Sequence, residues 1–227
     1  MRHQKFIILG LIFIVFYSYS CSQINKKEKK SENNDIVILD TIMKIDIVDF
    51  HIISGRNKDV YTHIIKNNKD TITITDATGG VEIRDFNNDH YPDIILCYLG
   101  NVYSCDLYLF DNQTDNFYKV AGFNHFSDCK IIDEKSNLFY SYQATGCANA
   151  NWKSSLFKID NFEIQELGRI EANECKGDNQ DNKIMIMKID SLDKVIPIDT
   201  LPIEKYNGNK WNFISDYWAN NVNEFKK

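Results

Sequence analysis

An all-β fold is what the sequence predicts, and three observations predict it. From residue 36 onward, short runs rich in Val, Ile, Thr, Tyr and Phe are separated by clusters of Asn, Asp, Gly and Ser, the punctuation of strands and turns. Thr71-Ile72-Thr73-Ile74-Thr75 alternates polar and apolar residues with period two, as a half-buried strand requires. Helical signals are confined to Ser215 to Phe225, with Ser215 as the candidate N-cap. Many short strands with regular turns point to a small β-propeller-like domain of short antiparallel strands, with a β-sandwich as the alternative.

In chain order, strands are expected at Ile36 to Leu39, Met43 to Ile53, Val60 to Ile65 and Thr71 to Thr75. Val81 to Ile83 and Asp93 to Leu99 flank an aspartate-rich loop. Further strands are expected at Ser104 to Phe110, Phe117 to Ala121, Cys129 to Ile132, Leu138 to Gln143, Trp152 to Ile159, Glu163 to Arg169, Lys183 to Ile189 and Lys210 to Ile214. Turn signals fall between them at Asn67-Asn68, Gly79-Gly80, Asn112-Gln113, Lys176-Gly177 and Asn207-Gly208. Leu107 to Asp111 followed by Phe117, and Ser155 to Asp160 followed by Phe162, read as two hairpins of similar make-up. They lie roughly fifty residues apart, within the range of propeller blades.

The N-terminus reads as a targeting segment. Arg2, His3 and Lys5 precede the apolar run Phe6 to Tyr17, which is short for a bilayer span and fits the apolar region of a secretory signal. Ser18-Tyr19-Ser20-Cys21 resembles the cleavage box of bacterial lipoproteins, although Ser18 stands where leucine is usual. Residues 1–20 are therefore expected to be a lipoprotein signal peptide and Cys21 the lipidated residue. Residues 21–35, polar and lysine-rich, are expected to be a flexible linker, and 36–227 a single all-β domain. A cell-envelope location is expected, and Ser22 in place of a retention aspartate resembles the sorting pattern of outer-membrane lipoproteins, which implies the outer membrane facing the periplasm, with surface exposure open.

Formal charge is −6, and becomes −8 once Arg2 and Lys5 leave with the signal. Phosphate recognition needs a basic stripe, so nucleic acid is excluded as a partner; calcium or a basic protein would suit the charge. Six cysteines are present. With Cys21 lipidated, Cys97, Cys105, Cys129, Cys147 and Cys175 remain, an odd number in an oxidising compartment. Cys97 and Cys105 flank Gly100-Asn101-Val102 symmetrically, so a hairpin centred there would oppose them. Cys147 and Cys175 lie in turn-like segments and could staple two loops. No CxxC pattern occurs, which disfavours zinc or a redox dithiol.

The chemistry-bearing segment is Asp85-Phe86-Asn87-Asn88-Asp89-His90-Tyr91-Pro92-Asp93, followed by Ile94-Ile95-Leu96. Oxygen-bearing side chains stand at loop positions 1, 3, 5 and 9, and the Tyr91 carbonyl stands at 7. Calcium takes six to eight oxygens at roughly 2.3–2.6 Å, and this spacing can wrap them round one ion. The expected ligands are Asp85, Asn87, Asp89, Tyr91 and Asp93, with Ca2+ in a structural role and bound weakly. Position 6, where the chain turns sharply and glycine is usual, is His90. The remaining histidines show no ligand spacing, and no GxSxG, SxxK, HExxH or P-loop pattern is present, so a binding protein rather than an enzyme is expected. Aromatic residues make up 13% of the chain. Most belong to core strands, while exposed Tyr or Trp would serve a partner-binding face. Gln143 to Asn151 is either a plain connection or a recognition loop.

Asp85 to Asp93 with its following apolar strand resembles the calcium loop of integrin-type propeller repeats. The longer run Val81 to Asp93, then Tyr108-Leu109-Phe110-Asp111, then Thr114-Asp115-Asn116-Phe117, resembles a family of periplasmic immunity lipoproteins. The resemblance spans roughly residues 80 to 170. It implies a calcium loop on a small propeller, and a protein that protects bacteria by inhibiting a peptidoglycan hydrolase delivered by a secretion system. A non-catalytic envelope module that binds a surface protein or glycan is the alternative.

Overall fold

Ile94-Ile95-Leu96-Cys97 is apolar without alternation, and the fold gives the reason: the sheet that carries it is covered on both faces. In the computed structural model, residues 36–57, 59–67, 70–75, 80–100, 104–126, 128–133, 137–175, 182–206 and 208–226 are described. The segments expected to be signal peptide and linker, including Cys21, lie outside the described residues, as do residues 101–103 and Lys176-Gly177.

Three antiparallel sheets follow one another along the chain. The first is a meander of β1 (Ile36–Ile45), β2 (Val48–Arg56), β3 (Val60–Lys66) and β4 (Asp70–Thr75). The second repeats that plan with β5 (Gly80–Arg84), β6 (Asp93–Tyr98), β7 (Ser104–Asp111) and β8 (Asn116–Lys119). The third is larger. It contains β9 (Cys129–Asp133), β10 (Leu138–Ser141), β11 (Gln143–Gly146), β12 (Asn151–Asp160), β13 (Glu163–Asn173), β14 (Lys183–Ile189) and β15 (Val195–Pro202). Its spatial order is β15-β14-β13-β12-β10-β9, with β11 also on β12. Each four-stranded sheet is an up-and-down meander of the kind that makes a propeller blade.

The sheets stack in chain order. Ile94 and Leu96 pack with Phe50, Ile52 and Ile64 of the first sheet, joined by Tyr108, Phe110 and Phe117. Ile95 and Cys97 point the other way and pack with Leu107 and Leu109 against Phe139, Phe157 and Ile159 of the third. The middle sheet is thus an inner layer, which a two-sheet sandwich does not possess. The far face of the third sheet is closed by α1 (Lys210–Phe225), whose Ile214, Trp218 and Phe225 pack on Leu156, Ile170, Ile184 and Ile186. Trp218 is fully buried and its indole N–H donates to Ser154 Oγ at 2.8 Å. Gly168 lets the helix end approach, because a Cβ there would lie 2.3 Å from the Phe225 ring.

Three expectations from the sequence are corrected. Met43 to Ile53 is two strands, broken at Asp46-Ile47; Asp46 takes a left-handed φ of 51° and so turns the chain without glycine. Lys210 to Ile214 is helix, not strand. Its cap is Asn209, whose side chain accepts from Asn212 N, and Ser215 lies inside the helix. The aromatic and β-branched residues there favoured a strand locally, but burial of Ile214, Trp218 and Phe225 on one face decided the matter. Finally, β15 was not anticipated, because Pro197 and Pro202 interrupt its pattern. Both are tolerated because β15 is an edge strand.

Candidate functional site

The Asp85–Asp93 loop closes on its own side chains. Asp85 Oδ1 accepts from Asp89 N at 3.1 Å, and Asp85 Oδ2 accepts from His90 N at 2.9 Å. Asn87 Oδ1 also takes the Asp89 N–H, and Asp89 Oδ1 takes that of Tyr91. The Asn87 amide donates to Asp89 Oδ2 at 2.9 Å. Asn88 and His90 are left-handed, with φ of 58° and 74°. The sharp turn expected at position 6 is therefore made, by histidine instead of glycine. Phe86 is turned inward, 4.9 Å from the Phe139 ring and 5.4 Å from Phe123. The Tyr91 ring lies 5.4 Å from that of Phe110.

Asp93 stands apart from the other predicted ligands. It is fully buried, and its two oxygens accept the N–H groups of Phe86 and Phe110 at 2.8 and 2.9 Å. The carboxylate thus ties the start of the loop to β7. Burial raises its pKa to about 7 and outweighs the two backbone hydrogen bonds that lower it; Asp89 and Asp85 raise it further. The opposite end of the β6–β7 hairpin is held by the Cys97–Cys105 disulfide, with the two residues directly paired across the strands.

The structure therefore gathers Asp85, Asn87 and Asp89 into one hydrogen-bonded cluster and sets Asp93 behind it. Among the described residues, no three His, Cys, Asp or Glu side chains surround a common point. The donor set is nonetheless hard oxygen, and mutual repulsion acts on three acids within nine residues. A cation such as calcium fits that chemistry, with Asp85, Asn87 and Asp89 as the available side chains.

Elsewhere, Cys147 and Cys175 form a second disulfide, while Cys129 is a free thiol. Burial pushes the Cys129 pKa up to about 12, which favours the neutral thiol. The Gln143–Asn151 segment forms β11 and a 3-10 turn in which Cys147, Ala148 and Asn149 are all left-handed. Lys210 Nζ holds it through Tyr142 Oη and Asn149 O, at 2.9 and 2.8 Å.

Sequence reasoning did not find two concave surfaces: one joins residues from three distant segments, and the other runs along a helix whose first turn reads as strand. A cleft of about 530 Å³ lies between the 3-10 turn Phe123–His125, the start of β13 and the β14–β15 hairpin. Its walls include His125, Glu163, Glu166, Arg169 and Asp193. A groove of about 440 Å³ follows α1, lined by Tyr206, Phe213 and Tyr217 rings and by Asn212, Asn220 and Asn221. No helix among the described residues is long and apolar enough to cross a membrane.

No protein-family model matches the chain, and no curated protein sequence does. Among solved structures it aligns with one described as "Structure of a Xanthomonas Type IV Secretion System related protein". Identity is 13%, the alignment covers 76% of this chain and 97% of that chain, and the TM-score is 0.48. An overlap of that extent carries no argument about what this chain does.

Proposed function

We propose that the chain is an envelope lipoprotein, anchored through Cys21, that binds and inhibits a peptidoglycan hydrolase and carries one structural calcium loop. The observation that carries this reading is the closed Asp85–Asp93 loop. Its acids are held in register by backbone bonds, and its sixth residue adopts the left-handed turn that calcium loops need. The acidic charge favours a basic target, and wall hydrolases are commonly basic. Inhibition would work by occluding the enzyme's cleft, with no bond made or broken by this protein.

Two measurements test the reading. Calcium titration of the purified protein, followed by heat and by melting temperature, is expected to show saturable binding that Asp89→Ala abolishes; an unchanged calcium shift in the variant sinks the metal assignment. In wall-lysis assays, loss of lysis at a one-to-one ratio is expected with the cognate hydrolase. Binding with lysis intact would favour the second reading, a non-catalytic envelope module that binds a surface protein or glycan. The groove along α1 supports that alternative, since planar amides beside aromatic rings suit sugar hydroxyls and C–H faces.

A further inference from the structure

The turn between β14 and β15 is closed by hydrogen bonds and leaves an apolar side chain exposed. Asp190 Oδ1 accepts from Leu192 N at 2.8 Å and from Lys194 N at 2.9 Å. Backbone bonds from Asp190 N to Lys194 O and from Asp193 N to Asp190 O complete the turn. Leu192 at its tip is 86% exposed, and the adjoining Val195, Ile196 and Ile198 are 42%, 39% and 43% exposed. A leucine held out on a fixed turn loses little entropy when a partner covers it. Four exposed aliphatics fall between Leu192 and Ile198, of which Val195 lines the cleft behind the turn.

The cleft behind this hairpin has the opposite character. Glu163, Glu166 and Asp193 line it, with Arg169 as the one Lys or Arg among its lining residues. That guanidinium is already engaged. It donates to both oxygens of Glu166 at 3.0 and 2.6 Å and reaches Glu171 at 3.4 Å. Glu163 and Asp193 make no ion pair with a described residue, and Lys194, the cation on the turn, is not part of the cleft wall. The cleft therefore has an uncompensated negative charge beside an apolar rim. Pro197 removes one backbone donor from β15, so its free edge is a poor template for adding another strand. Docking here would go through side chains.

We propose that the β14–β15 hairpin and the acidic cleft behind it are the face that docks a basic protein. An apolar pocket of the partner covers Leu192, and a lysine or arginine enters the cleft beside Glu163 and Asp193. This rests on the reading of the chain as a protein inhibitor and names the face it uses. Apolar anchors at the centre of an interface set the dissociation rate, while charges at its edge set the association rate and its salt dependence.

The test is binding of the purified protein to a panel of purified basic muramidases, amidases and endopeptidases, in low and moderate salt. Three variants accompany the wild type: Leu192→Asp, Glu163→Gln combined with Asp193→Asn, and Ile42→Asp. Ile42 is 68% exposed on β1, so its variant controls for loss of any apolar surface. Leu192→Asp is expected to weaken binding ~10-fold or more. The double variant is expected to slow association and flatten its salt dependence, and Ile42→Asp to change nothing. Wild-type binding that survives Leu192→Asp and the double variant overturns the docking face and leaves the inhibitor reading standing on another surface. Failure of the wild type to bind any panel member overturns the inhibitor reading, and the docking face with it. Melting curves of each variant separate loss of contact from loss of fold.

Discussion

In the Asp85–Asp93 loop and in the Asp190–Lys194 turn, one aspartate carboxylate accepts two backbone N–H groups further along the chain. The outcomes differ because of what lies beneath. Under the first loop a buried carboxylate, Asp93, binds two more N–H groups, and Phe86 is drawn into the aromatic core, so the remaining acids gather over one place. Among the described residues no buried carboxylate is bonded beneath the second. The turn stands at the end of an edge hairpin and displays Leu192. The same local device thus builds a loop that closes inward and a turn that presents outward, according to whether the interior holds it.

The largest effect should come from removing the interior tie. Asp93→Ala leaves the buried N–H groups of Phe86 and Phe110 without acceptors. An unmet buried donor costs roughly 1–3 kcal/mol, and relief of the buried carboxyl offsets part of the total, so a loss of about 3 kcal/mol is expected. Asp190→Ala frees its N–H groups to water and should cost no more than about 1 kcal/mol. Urea unfolding of both variants measures the pair. Equal losses would remove the distinction between the two turns.

Acidity gives a second, intermediate test. The Asp93 pKa rises from its ordinary value of 3.8 to about 7 in the folded protein, with burial the main cause. Between these values the folded chain keeps a proton that the unfolded chain has released. This contribution to stability is therefore complete below about pH 4 and is lost as the pH rises to about 7, at up to about 1.4 kcal/mol per pH unit. In the presence of chelator, the unfolding midpoint of the wild type should fall across that window more steeply than that of Asp93→Ala. Excess calcium should flatten the wild-type slope, because a cation beside Asp85 and Asp89 offsets the repulsion on Asp93. A wild-type slope matching the variant's would mean that Asp93 is ionised throughout.

How much of this was legible in the sequence differs between the two regions. The Asp85–Asp93 loop was readable because its chemistry is contiguous: spacing set out the register of the acids, and the apolar run after Asp93 announced a strand, whose burial on both faces only the stacked sheets reveal. The symmetry of one hairpin offered the pairing of Cys97 with Cys105, and the strand ladder sets them opposite one another. The inward commitment of Asp93 was not readable, since one of its partners, Phe110, lies seventeen residues away. The outward turn was hidden for a different reason. Pro197 and Pro202 break the strand pattern of β15, and only the ladder to β14 reveals it. Its cleft joins Asp193 to Glu163 and His125, which no local pattern connects. Ser215 misled because a good capping residue stood beside a strand-like aromatic run, while the real cap, Asn209, preceded both.

The smallest effect separates the two turns by their left-handed residues. His90 has φ of 74° and Asp193 has φ of 57°. Left-handed backbone costs an L residue roughly 1–2 kcal/mol, and glycine escapes that cost but loses about 0.5–1 kcal/mol of it to chain entropy. His90→Gly should therefore stabilise by no more than about 1 kcal/mol. Asp193→Gly should be nearly neutral, because aspartate tolerates this conformation well. Calcium is what distinguishes them. If the first loop closes round an ion, relaxing position 6 tightens binding, and the gain from His90→Gly grows when calcium is added. The turn at Asp193 has no reason to respond. Melting temperatures of both variants with calcium and with chelator decide the matter: a calcium-dependent gain at His90 alone ties the inward loop to the metal, and equal responses at both positions reduce it to a hydrogen-bonded turn.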